Sequence, residues 1–133
     1  MTAAPDSRLH VLVVDDDPLN LRIAARLLRE LGHQGALVNN GAKAVQLARE
    51  QRFDLVLLDI HMPGLGGQDT LAALRSLPPG SARPKVLMVS GEADPATQAH
   101  FLAAGADGFL TKPLARDPLA QALASLSRGR PLA

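Results

Sequence analysis

The chain has no cysteine, no tryptophan, no tyrosine and only three phenylalanines in 133 residues. Without thiols there are no disulfides and no thiolate metal sites. The shortage of rings removes the platforms on which single-stranded bases stack. A dominant charge is missing as well: the net charge is +1, which gives no electrostatic case for a nucleic-acid or membrane surface. Arg128 and Arg130 read as a short solvated tail. No apolar run approaches the roughly 20 residues of a membrane helix, and the start, Met1 to Asp6, lacks the basic and apolar segments of a secretory signal. A cytoplasmic setting, without nucleic acid or direct membrane contact, is the expectation. What is present suits a folded core: 47% of residues are hydrophobic and 20% charged, in a length that fits one domain over 1–133, with its core at about 9–127.

Strand-like and helix-like segments alternate five times. Leu9–Val14, Gln34–Val38, Leu55–Leu58, Val86–Val89 and Gly108–Leu110 read as strands, Leu55–Leu58 as an aliphatic run buried on both faces and Gln34–Val38 as a weak strand. Between them, Leu19, Ile23, Leu27 and Leu31 suggest one apolar stripe on a first helix, which Gly32 ends. Asn40 can cap a second helix that packs Ala44, Val45 and Ala48. Gln68–Leu77 makes a third, burying Leu71 and Leu74. A fourth runs through Phe101 and Leu102, and a last one carries Leu119, Ala122, Leu123 and Leu126. Asp17-Pro18, Asp94-Pro95 and Asp117-Pro118 each place a capping carboxylate before a proline suited to the first helical position. Gly66-Gly67 reads as a flexible lead into the third helix, and residues 78–84 as a Pro/Gly loop. Units of this length call for right-handed crossovers, giving a parallel α/β sheet covered by helices on both faces.

Such a sheet gathers its strand tips at one edge, where open α/β folds bind ligands. The tips here are Asp15-Asp16-Asp17, Asp59, Ser90-Gly91 and Thr111-Lys112-Pro113. Asp59 is the most telling, a carboxylate where a fully apolar strand empties into Ile60-His61-Met62-Pro63-Gly64. Crowded carboxylates repel one another and partly protonate, unless a hard divalent cation and an ammonium offset the charge. Mg²⁺ prefers one or two carboxylates together with waters and phosphate oxygens.

Asp15-Asp16, Asp59 with Met62-Pro63, Ser90 and Lys112-Pro113, in that order and at those spacings, resemble the receiver domain of two-component response regulators. The likeness runs from about Leu9 to Leu126. It implies a flavodoxin-like (βα)5 doubly wound sheet of strand order 2-1-3-4-5. It also implies that Asp59 is the phosphoacceptor, supplied by a histidine kinase or a histidine phosphotransfer domain. Asp16 and Asp59 would hold Mg²⁺ (or Mn²⁺) by their side chains, Asp15 largely through a water, and His61 by its backbone carbonyl. Lys112 would pair with Asp59 and then with a phosphoryl oxygen. Ser90 would bond another phosphoryl oxygen, and Phe109 would fill the aromatic switch position. A cis Lys112-Pro113 bond is implied too. The output surface would be helix four, strand five and helix five, through which a homodimer is a candidate. The domain would be regulatory, catalysing only its own phosphorylation and dephosphorylation.

Blander readings stand beside these. Asp17 before Pro18 reads as a helix cap rather than a third ligand. The His61 side chain reads as lying beside the pocket, where it and Glu92 can tune water access. Phe109 is either core or switch. His10, His33 and His100 carry no partner spacing. Phe109 stands where the family often has Tyr, Gly91 where it has Ala, and Gly66 where an acidic or amide residue is common; none of these removes a reacting group. Two other functions compete. One is an interaction module that keeps the fold without phosphorylation. The other is a haloacid-dehalogenase-like phosphohydrolase with Asp15 as nucleophile and Asp17 as acid/base, which leaves Asp59 unexplained. No output domain is expected after Leu126. The phrase Asp-Ile-His-Met-Pro, with the helix from Asn20 to Gly32-His33, resembles receivers of hybrid sensor histidine kinases, so a stand-alone regulator and a segment of such a kinase both remain open.

Overall fold

Ten elements alternate along the chain in the computed structural model: β1 (His10–Val14), α1 (Pro18–Glu30), β2 (Gln34–Val38), α2 (Gly41–Glu50), β3 (Leu55–Asp59), α3 (Gly67–Arg75), β4 (Lys85–Ser90), α4 (Pro95–Ala103), β5 (Gly108–Thr111) and α5 (Arg116–Gly129). The structure describes residues 8–77, 83–91 and 94–129, with side chains through 125. The expectations for loop 78–82, Glu92, the side chains of Leu126 and Arg128, and Arg130 lie outside the described residues, although the backbone of Arg128 belongs to α5 and not to a separate tail. All strand pairings are parallel, and the order is β2-β1-β3-β4-β5, as the resemblance implied. Among the described residues no helix is long and apolar enough to cross a membrane.

The two-residue period of the strands sorts their aliphatics into two cores. Leu12, Val14, Val56, Leu58, Val86 and Met88 pack with Ala44, Leu71, Leu74 and Phe101 under α2, α3 and α4. Val11, Val13, Leu55, Leu57, Leu87 and Val89 pack with Ala24, Leu28, Leu119 and Leu123 under α1 and α5. Both faces are covered, so the central strands carry no polar alternation. β2, at the sheet edge, is largely exposed, which is why its sequence signal is weak.

Several local expectations are met. The Asp17 side chain accepts the Leu19 N–H at 2.9 Å, Asn40 that of Lys43 at 2.8 Å, and Asp94 that of Thr97 at 2.9 Å. Gly32 has a φ of 87°, a left-handed conformation that glycine adopts without steric penalty. The Lys112-Pro113 peptide is cis.

Others are corrected. Leu19 is 60% exposed, and the buried ridge of α1 is Ala24 and Leu28. Residues four apart advance by about 40° around a helix beyond one turn, so Leu19 and Leu31 cannot share a face. Leu102 on α4 is 47% exposed, whereas its neighbour Phe101 is buried. Asp117 is not a cap. α5 starts at Arg116, the Leu119 N–H bonds the Ala115 carbonyl at 3.2 Å, and Asp117 lies in the first turn. A proline there forfeits only an N–H with no intrahelical partner, so it does not fix the first helical position. α3 stops at Arg75 instead of Leu77, although Leu77 is still buried.

Gly67 is no flexible lead either. It is buried, its N–H bonds the Ile60 carbonyl at 3.1 Å, and a Cβ there would lie 2.7 Å from the Asp59 carbonyl oxygen and 2.8 Å from Ile60 Cα. Glycine is required for α3 to start against the end of β3.

Candidate functional site

The strand register brings the tips together. Val14 pairs with Leu58, Asp59 with Val89, and Ser90 with Thr111. The ladder continues one step past the strands: the Asp15 N–H bonds Val38, the Ile60 N–H bonds Val89, and the Lys112 N–H bonds the Ser90 carbonyl at 2.9 Å. Backbone pairing therefore fixes where Asp15, Asp59, Ser90 and Lys112 leave the sheet.

Their side chains meet. Asp15 and Asp59 are buried, and Asp16 is exposed. One carboxylate oxygen from each of the three lies within 4.8 Å of the others. The Lys112 Nζ sits 3.1 Å from Asp15 Oδ2 and 3.1 Å from Asp59 Oδ1. Asp59 Oδ1 also accepts the His61 N–H at 3.2 Å, and Asp15 Oδ1 accepts the Asp17 N–H at 2.9 Å. Asp17 itself turns away to cap α1.

Burial is the largest influence on Asp59 and raises its pKa. The Asp15 charge raises it further, while Lys112 and the His61 N–H act against both, and the outcome remains above the usual carboxylate range. For Lys112 burial works to lower the pKa, but its bonds to Asp15 and Asp59 prevail and hold it above its ordinary value. The site is thus an acid pocket held by one internal ammonium. Three hard oxygen donors at this spacing suit Mg²⁺ or Mn²⁺, and the acid group can hold a metal ion.

The remaining expectations fall around this centre. Ser90 is buried at the tip of β4, next to the strand that ends in Asp59. The His61 side chain is exposed, consistent with a place beside the pocket. Phe109 is half-buried and meets Phe101 of α4 edge-on, centroids 6.2 Å apart. Asp15, which the resemblance implies acts on the metal largely through a water, is buried and paired with Lys112. Sequence reasoning assigned nothing to His33, yet its Nδ1 accepts the Leu9 N–H at 2.9 Å. It also missed Thr70, fully buried beneath the loop that follows Asp59.

Comparison with known proteins agrees with this geometry. Residues 11–124 match the model of the response regulator receiver domain. The chain is 37% identical over 130 residues to sensor histidine kinase AruS of Pseudomonas aeruginosa, covering 97% of this chain and 13% of that protein. It is 40% identical over 111 residues to the transcriptional regulatory protein ZraR of Escherichia coli, covering 84% of this chain and 24% of that one. The chain therefore spans a small part of the length of either relative. Among solved structures it is similar, at a TM-score of 0.82 and 29% identity, to the receiver domain of a Pseudomonas aeruginosa sensor histidine kinase with a magnesium ion coordinated in the active site cleft; 92% of this chain and 99% of that one are covered.

Proposed function

The chain belongs to the response regulator receiver domain family of two-component systems, and from that premise we propose that Asp59 is its phosphoacceptor. The donor would be a phosphohistidine on a histidine kinase or a histidine phosphotransfer domain. The observation that carries the assignment is the Lys112 ammonium, 3.1 Å from Asp59 and from Asp15 alike, beside three acid oxygens within 4.8 Å of one another. That arrangement sets an ammonium against the charge of a buried carboxylate at a strand-tip pocket. One Asp59 oxygen attacks phosphorus in line. The P–N bond breaks, its electron pair returns to the ring of the donor, and neutral imidazole leaves from the ring-protonated form. An acyl phosphate remains on Asp59.

Asp16 and Asp59, with Asp15 and the His61 carbonyl, are the residues that would hold Mg²⁺ (or Mn²⁺). When bound, the ion supplies positive charge to the equatorial phosphoryl oxygens, where phosphoryl transfer needs it. Lys112 takes a second oxygen and the Ser90 hydroxyl a third. The product adds about −1.5 to −2 charge at the end of β3. Drawing Ser90 toward that charge frees space for Phe109, which shifts the surface of α4, β5 and α5 between existing arrangements. The exposed Leu102 on α4 supports a docking face there, for an output partner or a second copy. We read the chain as one regulatory unit with its core at about 9–127, working in the cytoplasm and catalysing only its own phosphorylation and dephosphorylation. The phosphohydrolase alternative is disfavoured because Asp17 is engaged as a cap and Asp15 is paired with Lys112.

Incubation with Mg²⁺ and phosphoramidate should add one phosphoryl group to the intact mass of the wild type and none to Asp59→Asn. Equal labelling of the two would end the assignment.

A further inference from the structure

The loop from Ile60 to Gly66 is held at both ends. At its base, Gly67 bonds the Ile60 carbonyl at 3.1 Å with no room for a Cβ. At its far end, the Leu65 carbonyl accepts the Thr70 hydroxyl at 3.4 Å. Thr70 is fully buried, and a buried hydroxyl left without a partner is costly. The first residue of α2, Gly41, presses on the same spot: a Cβ there would lie 2.0 Å from Thr70 Oγ1 and 2.8 Å from the Leu65 oxygen. The loop between these anchors begins with His61, whose N–H bonds Asp59 Oδ1.

We propose that Thr70 is a positioning residue. Through Leu65 its hydroxyl sets how the loop sits over Asp59, and residue 41 is glycine to make room for that hydroxyl. The inference rests on the reading of Asp59 as acceptor and of the His61 carbonyl as a metal ligand. Thr70 touches neither metal nor phosphoryl group; it orients the backbone that does. Groups bonded directly to metal ligands change metal affinity by about 10–100-fold when removed; Thr70 acts one step further out, which puts its effect at the low end.

The test is Mg²⁺ titration by calorimetry on wild type, Thr70→Val and Thr70→Ser, together with phosphoramidate labelling rates at low and saturating Mg²⁺. Thr70→Val should weaken Mg²⁺ binding about tenfold, and Thr70→Ser, which keeps the hydroxyl, should restore it. At saturating Mg²⁺ the labelling rate of Thr70→Val should return to that of the wild type, because Asp59, Ser90 and Lys112 are untouched. Unchanged affinity in Thr70→Val, or a rate defect that persists in full at saturating Mg²⁺, overturns the proposal. Should Thr70→Val fail to fold by circular dichroism, Thr70→Ala carries the same two readouts without an added methyl. Absence of Mg²⁺ binding and labelling in the wild type would instead refute the function on which this rests, and the positioning role with it.

Discussion

Replacing Lys112 by methionine keeps most of its aliphatic stem and removes its charge, which isolates the electrostatic work of the ammonium. Each contact, at 3.1 Å, is worth about 5 kcal/mol at an effective dielectric near 20. Two of them overstate the loss, because a stranded acid takes up a proton instead of remaining charged. At neutral pH, protonating an ordinary aspartate takes about 4 kcal/mol, and that bounds the damage. Lys112 is about one quarter exposed, 24% by side chain, so water softens it further. Lys112→Met should therefore lose about 3 kcal/mol in EDTA, near the low end for a broken buried pair.

For a chain of this size the loss corresponds to a fall in Tm of roughly 10 °C. The missing Trp and Tyr make far-ultraviolet circular dichroism the appropriate readout. Mg²⁺ adds a second, independent requirement. On the proposed function Mg²⁺ would bind the same carboxylates that Lys112 neutralises, so the variant should gain more stability from Mg²⁺ than the wild type and reach half its gain at a lower concentration. A Lys112→Met protein within about 0.5 kcal/mol of wild type in EDTA, or one with an unchanged Mg²⁺ response, would refute the balance of charges described here.

Asp59→Asn should melt higher than wild type in EDTA. Neutralising it removes two like-charge contacts and one attraction, a net gain of about 1–2 kcal/mol by the same dielectric, in keeping with a carboxyl whose pKa burial and Asp15 hold up. Gly67→Ala should destabilise by about 2–3 kcal/mol in chemical denaturation, since its Cβ would meet only backbone in a packed core; a neutral effect would show that α3 can shift freely. His33 gives a pH dependence remote from the acids. Burial first, then the charge of Arg8, lowers its pKa, so its contribution is complete above the unfolded value and is lost as pH falls below about 6.5 and on through the folded one. Its Nδ1 also accepts the Leu9 N–H, so the loss should be about 1 kcal/mol, the scale of one hydrogen bond. His33→Asn, which keeps an acceptor and does not titrate, should flatten that part of the stability profile; an unchanged profile rules His33 out.

What the sequence made legible was whatever local chemistry decides. Asp17, Asn40 and Asp94 bond N–H groups two or three residues away, so their neighbours alone revealed them as caps. The aliphatic runs of β1, β3 and β4 could be buried only on two faces, and a parallel sheet then sets Asp15, Asp59 and Lys112 on one edge. What stayed hidden depends on partners far along the chain. Gly41 must be small because of Thr70 and Leu65, and nothing near residue 41 says so. The partner of His33 is 24 residues away. Leu19 misled for a different reason, since spacing by four imitates a stripe while drifting around the helix. Proximity at a strand tip also carries no distances, and so the sharing of Lys112 between two acids could be seen only in coordinates.

That sharing bears on how a phosphoryl group could be sensed. A lysine equidistant from Asp15 and Asp59 cannot follow new charge on Asp59 without loosening its hold on Asp15. Its backbone N–H is bonded to the Ser90 carbonyl, so the ammonium and the hydroxyl hang from one junction between β4 and β5. Three residues before Lys112, paired with Met88, Phe109 meets Phe101 of α4. The proposed switch therefore has a short route: charge at Asp59 acts on Lys112 and Ser90, the strand pair carries both, and Phe109 links that pair to α4. The two arrangements of this element need differ by only a few kcal/mol for phosphorylation to change which is populated, and one hydrogen bond to a charged group, about 1.5–3 kcal/mol, is of that size.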